Sequence, residues 1–482
     1  MLFSSLLFLY CFLPFTLLLY YLSPGRIKNY VLLLCSLVFF AWGGVSFTAL
    51  LLLSIVANYG FGLLIQSGQN SKAGRSWLIL GVSFNLLLLG IYKYSHFAID
   101  NLNVLFNCLN MPLLKDPGIV LPVGISFYTF HSLSYLVDIS RGKVQAQRNI
   151  FDLALYICMF SQLIAGPIIR YSDVHLQLRS RQHTLLRFGE GIERFLMGLA
   201  KKVLLANTLA QVADELFTRP VGDLNASLAW LGMISYSLQI YFDFAGYSDM
   251  AIGLGKMFGF EFMENFNFPY IARSVKEFWR RWHMSLSGFF RDYVYIPLGG
   301  NQGGKTSTYI NLILVFFLTG FWHGASWTFV VWGLFHGLFM LLERAGLDSF
   351  LNKAPAFVSR FYTLVVVMLA WVLFRADSFE QAIGYWEALL NFSSSPEQTL
   401  TLYNYLNKEI LLVLSIALAG ALGWFRPLDR IRGQEPEGSE GSKRWWQWIR
   451  IPVEWSFYLV LIGLCTLYLV AGTYNPFIYY RF

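Results

Sequence analysis

Seven histidines occur in the chain, and they differ sharply in setting. His323 is flanked by apolar runs on both sides, Phe316 to Phe321 and Trp327 to Val331. A neutral imidazole there needs polar partners and changes charge near neutral pH. A general base for a hydroxyl acceptor needs those properties. The same residue would also serve as a core histidine satisfied by a backbone carbonyl, and the residues alone leave both readings open. His283 lies 40 residues upstream (323 − 283), beside Arg280 and Arg281. Glu277 and Arg281 are four apart, so they can pair on one helix face. The basic residues would attract the phosphates of an acyl donor, or would snorkel as an interfacial anchor. His336 follows His323 by 13 residues. On a continuous helix that is about 20 Å. Only a break at Gly324–Ser326 would bring the two to one site, and a packing role for His336 is the plainer expectation. His96, His131, His175 and His183 are scattered and carry no assigned role.

Other chemistries lack their parts. No G-x-S-x-G elbow, H-E-x-x-H pair or Walker A loop is present. Gly253-Leu-Gly255 has no third glycine at dinucleotide spacing. The five cysteines form no C-x-x-C pair, so neither a zinc knuckle nor a thioredoxin-like site is signalled. No metal site is expected.

These residues must be positioned by helices in lipid. The 482 residues are 56% hydrophobic and only 13% charged, against roughly 25% charged in a soluble protein. Spans need about 20 mostly apolar residues. Runs of that kind are Leu6–Leu22, Tyr30–Trp42, Phe47–Ile65, Trp77–Tyr92, Ile119–Val137, Phe151–Ile169, Leu228–Phe244, Ile310–Phe321, Trp327–Leu342, Phe357–Phe374, Ile410–Phe425 and Val453–Thr473. The first is read as a retained span, because no basic n-region or A-x-A site accompanies it. The expectation is an all-α polytopic membrane protein, with about 10–12 spanning helices plus re-entrant and interfacial helices. It forms one membrane-embedded domain, with a catalytic core at about 119–342 and peripheral helices at 1–118 and 343–482.

The net charge of +8 reads as topology rather than nucleic-acid binding, because the basic residues sit in short loops. Loops at Arg26 and Lys28, Lys72 and Arg75, Arg141–Arg148 and Arg426–Arg450 are placed in the cytoplasm. The alternation then breaks, because Arg170, Arg179, Arg181 and Arg187 follow after a single apolar run. A re-entrant segment at Phe151–Ile169 would reconcile this; a failure of the charge rule is the rival. Residues Arg179–Phe217 have apolar steps of three and four, which suit an amphipathic interfacial helix. Glu435–Ser442 is a polar connection.

Polar groups inside such a chain usually line a pathway or site, and they are densest from Tyr241 to Gly337. This stretch holds Asp243, Ser248 and Asp249, then Glu264-Asn-Phe-Asn-Phe-Pro-Tyr270. It continues with Arg280-Arg-Trp-His-Met-Ser-Leu-Ser287, Arg291-Asp-Tyr-Val-Tyr-Ile-Pro-Leu-Gly-Gly-Asn301 and Phe321-Trp-His-Gly324. The run closely resembles the membrane-bound O-acyltransferases, in the branch of alginate O-acetyltransferases and their cellulose-acetylating relatives. Leu121-Pro-Val-Gly-Ile-Ser-Phe-Tyr128, Leu163-Ile-Ala-Gly-Pro167, Phe3-Ser-Ser5 and Asn475-Pro-Phe-Ile-Tyr-Tyr-Arg-Phe482 fit it too. The D-alanyl transfer proteins of teichoic acid modification are a more distant match.

The resemblance implies a ring of helices around a thin centre with a tunnel. It places the catalytic histidine at His323 and the second histidine at His283. Trp279, Arg280, Asn265 and Trp322 would contact substrate. It implies an O-acetyltransferase of the bacterial inner membrane with no bound cofactor, using acetyl-CoA or another cytoplasmic acetyl donor. Membrane lipid, periplasmic acetyltransferase partners and the exopolysaccharide synthesis machinery would be its partners. A transporter without chemistry, or a scaffold that has lost activity, are the other classes.

Overall fold

Backbone groups in lipid must be satisfied within their own segment, and the apolar runs accordingly form helices. The computed structural model describes residues 1–164, 166–392, 401–425, 440–472 and 474–476. It is 76% helical, with no strand among the described residues. The opening helices are α1 (Leu13–Leu22), α2 (Lys28–Ala41), α3 (Val45–Ser67), α4 (Lys72–Cys108) and α5 (Ile125–Ser140). The short α6 (Ile150–Cys158), α7 (Phe160–Leu163) and α8 (Tyr171–Arg179) follow. Then come α9 (Leu185–Ala200), α10 (Asn207–Thr218) and α11 (Ala226–Met257). The motif region holds α12 (Val275–Trp279), α13 (Met284–Phe290), α14 (Gly304–His323) and α15 (Trp327–Leu342). After α16 (Asp348–Lys353) and α17 (Ala356–Arg375), further helices run on to Glu440–Ala471.

Among the described residues six helices are long and apolar enough to cross a membrane: Val45–Ser67, Lys72–Cys108, Leu185–Thr218, Trp327–Lys353, Ala356–Arg375 and Pro452–Ala471. The protein is an all-α, multi-pass membrane protein. At 1.5 Å per residue α4 spans about 55 Å, well beyond a hydrocarbon core of about 30 Å.

The segment after the Arg141–Arg148 loop enters and returns. Asn29, in the first basic turn, donates to Asp152 at 2.8 Å and to the Leu178 carbonyl at 2.8 Å. Both ends of the 150–179 stretch therefore lie on one face. Inside it, Gln162 donates to the Tyr156 carbonyl, and the Tyr156 hydroxyl donates to Ile169 at 3.0 Å. The re-entrant expectation matches this path. The other basic turns share the face: Gln66 accepts from the Ala146 N–H at 2.6 Å, and Arg141 donates to the Asp292 carbonyl at 3.0 Å.

Two expectations change. The span expected from Ile119 begins at Ile125. Pro122 lacks an N–H, and Gly124 turns through φ +80° where a Cβ would stand 2.8 Å from the Leu163 carbonyl. The amphipathic stretch expected at Arg179–Phe217 is helical from Leu185, and apart from the exposed Leu185 and Leu186 its apolar face is mostly covered by protein. Helix α9 passes through a wide π turn at Lys201–Ala206 into α10, and two-thirds of its most apolar window is buried. It packs on α11 backbone to backbone, with Gly191 against Gly253 and Gly198 against Gly246. A 3.6-residue period reports one buried face and not what buries it. Deep in this contact Lys202 pairs with Asp243 at 2.5 Å and donates to the Pro476 carbonyl. The polar connection expected at Glu435–Ser442 lies outside the described residues up to Ser439, and Glu440 onward is helical.

Candidate active site

His283 sits where α12 and α13 meet, in left-handed backbone with φ +42°. That conformation is unfavourable for a residue with a Cβ, by about 1–3 kcal/mol, so its surroundings must impose it. Asn265 does so. Its carbonyl accepts the Met284 N–H at 2.9 Å, and its side-chain Oδ1 accepts the Ser285 N–H at 3.2 Å and the Ser285 hydroxyl at 2.9 Å. A backbone N–H can only donate, so the atom facing it is the amide oxygen. The same Oδ1 lies 3.1 Å from His283 Nδ1. Nδ1 therefore carries the proton, and in the neutral ring Nε2 is a bare acceptor. Nε2 is buried and has no hydrogen-bond partner among the described residues. The Ser285 hydroxyl also receives the Ile168 N–H at 3.0 Å, tying this knot to the end of the re-entrant segment. The Phe244 ring meets the imidazole edge-on at 4.6 Å.

His323 is the last residue of α14. Gly324 is extended at φ −159°, and Ser326 caps the start of α15 by accepting the Thr328 N–H. The helix therefore breaks at Gly324–Ser326, and α15 folds back along α14. The two helices touch without side chains between them: a Cβ on Gly320 would stand 3.1 Å from the Gly333 Cα. This corrects the spacing argument for His336. The rings of His323 and His336 both contact one residue, Trp332, at 5.0 and 5.1 Å. His323 also meets Trp322 at 4.8 Å and Phe374 at 5.3 Å. His283 reaches the same group through Trp322, at 6.4 Å between ring centres. His323 lies within electrostatic range of His283, His336 and Lys93.

Trp279 stands between Phe316, Trp332 and His336. Its indole N–H is buried without a partner among the described residues, as are those of Trp322 and Trp332 and the Asn265 Nδ2. Burying a donor without a partner is costly. Several such donors around two imidazoles suit a bound carbonyl that they would satisfy. Arg280, by contrast, is exposed and is not brought to the histidines. Among the described residues no group of three or more His, Cys, Asp or Glu is arranged to hold a metal ion.

On the basic face, Asp292 pairs with Arg170 at 2.6 Å and with Arg291 at 2.6 Å. Burial would raise its pKa, but the two guanidiniums outweigh that and hold the carboxyl below its usual range. Arg141 and Arg170 flank the Tyr293 ring at 5.3 and 5.7 Å, and Tyr293 donates to Asp138 at 2.8 Å.

Residues 86–378 match the membrane-bound O-acyltransferase family, and that range includes both histidine segments. A probable alginate O-acetylase of Azotobacter vinelandii is 42% identical over 100% of both chains. Another, of Pseudomonas aeruginosa, is 46% identical over 82% of this chain and 76% of its own. A peptidoglycan O-acetyltransferase of Helicobacter pylori is 38% identical over 80% of this chain and 78% of its own. The chain belongs to the membrane-bound O-acyltransferase family. It is an O-acyltransferase, so transport without chemistry is set aside. For this O-acyltransferase, sequence reasoning singled out His323, His283, Asn265, Trp279 and Trp322, which the structure gathers. It missed Lys93, whose Nζ donates to the Trp322 carbonyl and, at 3.2 Å, to that of His323. The signal was present: one lysine in the apolar run Trp77–Ser95.

Proposed function

We propose that this protein transfers acetyl groups at the bacterial inner membrane for O-acetylation of an exported polysaccharide of the alginate or cellulose type. The donor is acetyl-CoA or another cytoplasmic acetyl donor, and periplasmic acetyltransferases working with the polymer synthesis machinery complete the pathway. The observation that carries the reading is that His283 and His323 both approach Trp322, among buried indole and amide donors without a partner among the described residues. The long similarity to alginate O-acetylases supports the acyl group and the polymer.

In this reading His323 takes the proton of an acceptor hydroxyl. The hydroxyl oxygen forms the new ester bond to the acetyl carbonyl carbon. The tetrahedral intermediate collapses, the bond to the donor's leaving atom breaks, and that atom recovers the proton from the imidazolium. The negative oxygen needs donors, and preorganised donors are usually worth more than the base itself. Neutral His283 cannot supply one, because Asn265 fixes its proton on Nδ1. Asn265 Nδ2 and the Trp279 and Trp322 indoles can. His283 Nε2, a bare acceptor, takes no part in stabilising that oxygen.

The test is ester-bound acetate, measured by NMR, on polymer exported by an alginate-producing strain lacking its own acetylase. Cells given this chain should export acetylated polymer. Unacetylated polymer from cells with normal membrane levels of the protein would sink the proposal.

A further inference from the structure

Helix α14 ends inside the protein, where Trp322 and His323 are both buried. The final four carbonyls of any helix lack intrahelical partners, and they carry the negative end of the helix dipole. Here α4 supplies the partners. Tyr94 donates its hydroxyl to the Phe321 carbonyl at 2.7 Å, and its ring stacks on Phe321 at 4.2 Å. The neighbouring Lys93 donates to Trp322 and His323. Three successive carbonyls are thus closed by two successive side chains, from a helix some 230 residues away in sequence. One and two turns further along α4, Phe97 packs on Trp327 and Asn101 accepts the Trp327 indole N–H at 2.9 Å. The whole turn between α14 and α15 is clamped by one edge of α4. Lys93 is buried, and a buried ammonium in a span is expensive unless it is used.

We propose that Lys93 is a positioning residue for His323: its ammonium closes the end of α14 and so fixes the angle at which the imidazole meets the acyl acceptor. Lys93 acts through the carbonyls of Trp322 and His323 and does not touch the reacting atoms. The ammonium also lies 5.6 Å from the centre of the Trp322 ring, so it sets that indole as well. Without it the last turn of α14 would fray, and the imidazole and the indole would lose their mutual geometry. A misplacement of about 1 Å can cost about 100-fold in rate.

The inference rests on His323 as the base, and the experiment separates the two. Wild type, His323→Ala, Lys93→Met and Lys93→Arg are expressed in the acetylase-deficient alginate producer at matched membrane levels. Ester acetate on the exported polymer and thermal unfolding in detergent are then measured. If wild type leaves the polymer bare, the proposed function fails; if His323→Ala matches wild type, the base assignment fails. With those controls in order, Lys93→Met should lose at least tenfold with an unchanged unfolding temperature. Lys93→Arg, which keeps the charge and the donors, should recover at least a third of wild-type acetylation. A smaller loss in Lys93→Met, a lowered unfolding temperature, or no recovery in Lys93→Arg overturns the assignment. Should Lys93→Met fail to accumulate, Tyr94→Phe decides: removing that one oxygen should cost threefold or more, and no loss overturns the clamp.

Discussion

The two histidines are held in opposite ways. His283 is fixed by a local knot: Asn265, Met284 and Ser285 lie within 20 residues, and one amide oxygen serves the imidazole, a hydroxyl and a backbone N–H. His323 is fixed by distant elements, with α4 closing its helix end and α15 and α17 supplying Trp332 and Phe374 against its ring. The first arrangement sets a proton, because the tautomer follows from the amide. The second sets a direction, because the ring's angle follows from where the helix stops. In the proposed acyl transfer both would be needed, the proton set by a short-range device and the direction by a long-range one.

The sharpest way to break the comparison is His323→Ala. Loss of a general base typically costs 10²–10⁴-fold, so exported polymer should carry no detectable ester acetate while membrane levels stay normal by immunoblot. Acetylation above a tenth of wild type would mean the base lies elsewhere. Asn265→Ala comes next. It strips His283 of the partner that fixes its tautomer and leaves the Ser285 N–H unpaired, a loss of about 1–3 kcal/mol for each buried group. Activity should fall tenfold or more, and His283→Ala should fall to a similar level. If Asn265→Ala keeps full activity while His283→Ala does not, the tautomer argument is wrong.

His336→Ala is expected to cost less, about three- to tenfold, because His336 reaches His323 only through Trp332. A loss equal to that of His323→Ala would place His336 in the chemistry instead. The smallest effect belongs to Asp292→Asn, which cuts the tie from Arg170 to the basic face. It should lower stability by about 1.5–3 kcal/mol and acetylation about twofold. The Asp292 carboxyl is held below its usual pKa range. Its contribution is therefore present above the unfolded-state pKa and lost as pH falls through the folded-state value. Unfolding curves across acidic pH should converge for Asp292→Asn and wild type, and a constant gap between them would refute the pairing.

Much of this was legible beforehand because lipid leaves a chain few options. Apolar runs became helices, and the faulty charge alternation around Arg170 pointed to a segment that turns back. The buried setting of His323 was legible from its flanks. His336 lay far from His323 only for a continuous helix, and the break at Gly324–Ser326 that would bring it near is the one that forms, through an extended glycine and a helix-capping serine. Lys93 was overlooked for a different reason: its partners are backbone carbonyls, which no side-chain pattern reveals. The asparagine's control over the tautomer also lay beyond reach, since it depends on which atom of an amide faces which N–H. The expected reading of Glu435–Ser439 and the family-like ending beyond Pro476 lie outside the described residues.

The contact between Gly320 and Gly333 has a mechanical consequence. At that one point the two helices have no rotamers between them to absorb a displacement. The α14–α15 hairpin is stiff there, close to the turn that α4 grips. Ile310 on α14 and Leu338 on α15 are exposed. A bilayer that thins or thickens exerts its mismatch force on such residues, and a stiff hairpin passes that force toward its turn. A load reaching that turn would act beside His323, which ends α14 there.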